Sequence, residues 1–109
     1  MVTEDIPFYV YGAVSNQKYR LVLKTSTGGT IVSFKQLSES QVTPGTYTVK
    51  INSTDVSGLA GIANSTSLTE TVATGNNTYA TGDEISVTLS GTASMVGFYG
   101  TLKVLRPVQ

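Results

Sequence analysis

Apolar and polar residues alternate with a period of two along most of this chain, and each run closes at Gly, Pro, Asn or Asp. That period throws successive side chains to opposite faces, so the runs read as half-buried β-strands. Residues 6–11 put Phe8 and Val10 on one face and Tyr9 and Tyr11 on the other. Further on, Tyr19, Leu21 and Leu23 oppose Arg20, Val22 and Lys24, and residues 30–34 are β-branched and apolar. The cleanest run sets Tyr47, Val49 and Ile51 inward against Thr46, Thr48, Lys50 and Asn52. Ile85, Val87 and Leu89 repeat the pattern against Glu84, Ser86, Thr88 and Ser90, and the chain returns through Phe98, Leu102 and Val104.

Between the runs lie turn signals. Ser15-Asn16, Gly75-Asn76-Asn77 and Thr81-Gly82-Asp83 are rich in turn residues, and Pro44-Gly45 is a strong turn initiator. Gly28-Gly29 tolerates positive φ and predicts a hairpin-type turn. Residues 35–42 are polar and irregular and read as a crossing loop, whereas 55–64 are small and read as a long loop or weak edge. Residues 65–73 alternate loosely around Leu68 and Val72. No window has the three-and-four spacing of an amphipathic helix. The expected fold is all-β: a single jelly-roll-like β-sandwich of about eight short antiparallel strands, one domain over residues 1–109.

At 109 residues, folding buries roughly two-thirds of the unfolded surface, enough for one core. The chain has no Cys, which removes disulfides and thiolate metal sites, and no His, which removes the usual general base and commonest metal ligand. Its seven cations are scattered and balanced by seven carboxylates, without the clustered Lys and Arg that phosphate backbones require; nucleic acid is not an expected partner. No apolar run approaches the ~20 residues of a membrane helix, so no membrane partner is expected. The acidic start, Met-Val-Thr-Glu-Asp-Ile, lacks a signal-peptide pattern, which implies retention in the cytosol or carriage inside a larger particle. Asn52, Asn64 and Asn76 head sequons of a kind that arise readily in a chain so rich in Thr, Ser and Asn.

The residues offer little chemistry. No Gly-x-Ser-x-Gly or Ser-x-x-Lys motif is present, and a nucleophile would need Lys or a carboxylate as its base, so no enzyme and no cofactor are expected. Asp83-Glu84 invites a Ca²⁺ reading, but strand neighbours face opposite ways; the pair reads as a turn Asp followed by a solvent-facing Glu. Gly28-Gly29 lacks the Lys-Ser/Thr and helix of a phosphate cradle. The aromatics are more informative. Tyr9 and Tyr11 lie opposite the core face of the first strand, and Tyr99 lies opposite Phe98 in the last. Tyr9, Tyr11, Phe98 and Tyr99 are therefore candidates for a protein interface, with a doubly buried strand or a sugar-stacking platform as alternatives. The small-residue segment 58–67 either reaches a neighbour or crosses the end of the barrel.

Four segments carry a family resemblance: Phe8-Tyr9-Val10-Tyr11-Gly12, Gly45-Thr46-Tyr47-Thr48-Val49-Lys50-Ile51, Gly82-Asp83-Glu84-Ile85-Ser86-Val87-Thr88, and Thr101-Leu102-Lys103-Val104-Leu105-Arg106. In this layout the chain resembles small β-sandwich virion structural proteins of tailed bacteriophages. The resemblance implies a capsid cement (decoration) protein or a head-fibre or tail-fibre domain. It further implies a homotrimer on the capsid exterior, made in the host cytoplasm and bound to the major capsid protein lattice. The alternative is a carbohydrate- or receptor-binding module of a tail fibre or baseplate.

Overall fold

The computed structural model describes residues 2–13, 18–22, 27–40, 45–91 and 96–106. Ten strands occur among them: β1 (Val2–Ala13), β2 (Lys18–Val22), β3 (Gly29–Ser40), β4 (Thr46–Ile51), β5 (Thr54–Asp55), β6 (Ile62–Ala63), β7 (Thr69–Val72), β8 (Thr78–Tyr79), β9 (Ile85–Ser90) and β10 (Val96–Arg106). All pairings are antiparallel. One sheet runs β1-β10-β3-β7 with β8 also on β3; the other runs β2-β9-β4-β5 with β6 also on β4. First pairs with last, β2 with β9, β3 with β7 and β8, and β4 with β5 and β6. The chain is thus a long hairpin wound into two sheets, the jelly roll. Its eight positions are filled by ten segments because β5 with β6, and β7 with β8, share one place each.

Between the sheets lies an aromatic cluster. Phe98 is fully buried, with ring centroids 5.9 Å from Phe8 and 6.2 Å from both Phe34 and Tyr47. Phe34 to Tyr47 (5.0 Å) and Phe8 to Tyr19 (5.5 Å) tie one sheet to the other. Tyr47, Val49, Ile51, Ile85, Val87 and Leu89 are all buried, as their alternation predicts. Burial raises the Tyr47 hydroxyl above its ordinary value, an effect that the Thr71 side chain partly offsets. A bulge in β3 resets the phase: Lys103 faces Ser33 but Val104 faces Ile31, so Ile31 and Phe34, three residues apart, both enter the core.

Several expectations need correction. Residues 35–40 form the second half of β3 rather than a crossing loop, because its inward residues there are polar. Gln36 Nε2 donates to Ser38 Oγ (2.8 Å) and Gln36 Oε1 accepts from Ser65 N (2.7 Å), so both side chains stay satisfied while buried. Gly28-Gly29 is not a hairpin turn, since β2 and β3 lie in different sheets. Gly29 instead admits the Tyr79 hydroxyl, which would lie 2.6 Å from any Cβ there. The strands are not all short, for β1 and β3 have 12 residues each. Segment 55–64 is an edge with its own plugs: Val56 and Leu59 are fully buried, and Val49 N donates to Leu59 O (2.9 Å). The Ser15-Asn16 turn, Leu23, Lys24, Pro44 and Pro107 lie outside the described residues, as do the side chains of Tyr11, Leu21 and Val22.

Candidate interaction surface

The outer face of β1-β10-β3-β7 gathers Tyr9, Leu68 and Val72, three of the exposed apolar residues. Odd positions of β1 point outward, and register places Tyr9 opposite Tyr99 and Tyr99 opposite Leu37, three strands in one row. The two tyrosine rings lie 5.9 Å apart at 57°. Leu68, just ahead of β7, continues the row at 69% exposure, and Tyr9 is 51% exposed. These side chains, with Lys35, Gly100 and Thr101, line an open groove of about 260 Å³. Val72 on β7 adds a further apolar residue at 60% exposure.

Two of the four interface candidates, Tyr9 and Tyr99, are therefore brought together on the surface. Phe98 is not with them: it is the hub of the core, because even positions of β10 face the opposite sheet. The side chain of Tyr11 lies outside the described residues. Nor is β10 an edge, since it runs between β1 and β3. Leu37 and Leu68 are not among the interface candidates of the sequence, although Leu68 centres the loose alternation over 65–73. Leu37 was hidden in a stretch whose inward residues are polar, and its alternation with Gln36 and Ser38 was the available signal.

The opposite face, over β2-β9-β4, is hydrophilic. Glu84 pairs with Lys18 (2.5 Å) and Arg20 (2.9 Å), and these contacts, Lys18 foremost, hold its carboxyl below the ordinary range. Asp83 is the turn residue expected: its Oδ2 accepts from Ala80 N (2.9 Å) and its Oδ1 from Asn52 Nδ2 (3.1 Å), which lower its pKa. Both carboxylates are thus committed within the chain, and among the described residues no three acidic side chains converge to hold a metal. Of the sequon asparagines, Asn64 is buried and Asn52 is bonded to Asp83 and Glu84. No protein-family model, curated protein or solved structure matches the chain.

Proposed function

We propose that this chain is a non-enzymatic virion structural protein of a tailed bacteriophage, a capsid cement protein that stabilises the major capsid protein lattice from the capsid exterior. The observation that carries this reading is the apolar row Tyr9–Tyr99–Leu37–Leu68 on the outside of a jelly roll. A contiguous row of aromatic and aliphatic side chains, exposed at Tyr9 and Leu68 and half-buried at Tyr99 and Leu37, suits a protein contact, and tyrosine is enriched at such surfaces. The virion assignment comes from the sequence resemblance, since a jelly roll hosts many functions. Weak contacts repeated over a symmetric shell add up to firm attachment. Purified particles should contain the protein at a copy number rivalling the major capsid protein; absence, or a few copies per particle, would refute the cement role.

A second reading, a glycan-binding module of a tail fibre or baseplate, draws on the groove between the two tyrosines. Glycan binding lost on Tyr9→Ala would support it. The exposed Leu68 and the aliphatic Leu37 in that groove favour a protein partner instead.

A further inference from the structure

The tyrosine face holds more than an apolar row. Among the described residues, the ion pairs engage Lys18, Arg20, Lys50 and Arg106; Lys35 and Lys103 take part in none. Both lie on the outer face of β1-β10-β3-β7. Three carboxylates without a cation share it: Asp5, Glu39 and Glu70, the last accepting a hydrogen bond from Ser33 Oγ (2.7 Å). Register sets Lys103 beside Asp5 and Lys35 beside Glu70, yet neither couple forms an ion pair. Uncommitted charges of both signs therefore surround the exposed apolar row.

A partner of one sign, such as an anionic membrane, a nucleic acid or an acidic glycan, would meet repulsion from half of these groups. A second copy of the same face carries the same mixture, so its lysines can meet carboxylates and its carboxylates lysines. Self-complementarity of that kind is what a two-fold interface requires. The molecule spans 44 × 23 × 23 Å, so one long side has room for the ~800 Å² per partner of a standard interface. Resting on the reading of this face as a protein contact, we propose that the contact is one between copies of this chain: the face pairs with the same face of a second copy in a two-fold dimer, which meets the shell through its other surfaces.

Sedimentation equilibrium of the full chain tests this. The wild type should have the mass of two copies. Lys35→Glu/Lys103→Glu and Asp5→Lys/Glu70→Lys should each raise the dissociation constant by at least about 100-fold, since like charges then face one another. An equimolar mixture of the two variants should recover the two-copy mass. Tyr9→Lys, in the apolar row, offers a second route to the monomer. A wild-type monomer or trimer, dimeric variants, or a mixture that stays monomeric would overturn the proposal. A monomer still found on particles would overturn the dimer alone, whereas a dimer absent from particles would overturn the cement role alone.

Discussion

At the residue scale, position within the pleat separates aromatics that look alike in sequence. Phe98→Ala should cost about 3–5 kcal/mol in denaturant unfolding, because it empties the centre of the ring cluster. Tyr9→Ala should change stability by no more than about 0.5 kcal/mol while weakening self-association. Gly100 occupies an inward position of β10 against the Phe34 ring, leaving no space for a methyl group. Gly100→Ala should therefore destabilise by about 1–3 kcal/mol, read by the same unfolding curve. Among the described residues the buried Tyr47 hydroxyl has no partner at hydrogen-bonding geometry, Thr71 being the side chain that eases its burial. Tyr47→Phe should stabilise by about 1 kcal/mol by removing that unsatisfied group; a loss of stability would mean that Thr71 takes its proton.

At the element scale, two devices stand out. β1 is a long edge strand, and Pro7 sits in mid-ladder, where a missing N–H is tolerated only on the unpaired side. Pro7→Thr should restore a donor to that edge and accelerate aggregation, measured by light scattering. The second device is the clasp at one end of β9. Asn52 N donates to Glu84 O (2.7 Å), Asp83 closes its turn, and Glu84 holds Lys18 and Arg20 of β2. Both carboxylates are depressed from ordinary values of 3.8 and 4.5, Asp83 chiefly by the Ala80 N–H and Glu84 chiefly by Lys18. They release protons more readily folded than unfolded, so their contribution is present above the ordinary values and is lost as pH falls through the lower folded ones. The thermal midpoint should fall with acidification below those ordinary values, and Glu84→Gln should flatten the slope. The turn role of Asp83 was legible in Gly-Asp, whereas Glu84's partners, some sixty residues away, were not.

For the whole molecule, pairing the first strand with the last means that most ladder contacts close long loops. Refolding should therefore be slow, on the order of milliseconds to seconds by stopped flow, as in other β proteins of non-local topology. The resemblance implies a homotrimer and the mixed charge of the tyrosine face a two-fold dimer; the mass at sedimentation equilibrium decides between them. The sequence alone determined the all-β class and the inward set of β4 and β9, since period-two alternation is a local property of the pleat. It also led to Tyr9 and Tyr99, one residue out of phase with the core. Only the tertiary structure decided that residues 35–40 continue a strand, that Phe98 is core, and that Leu37 and Leu68 join the tyrosines. Those outcomes depend on a bulge that shifts phase, on buried polar groups satisfied by distant backbone, and on register across three strands. None of the three leaves a mark within a single run of alternating residues, so the tyrosine surface emerges only when the sheet is assembled.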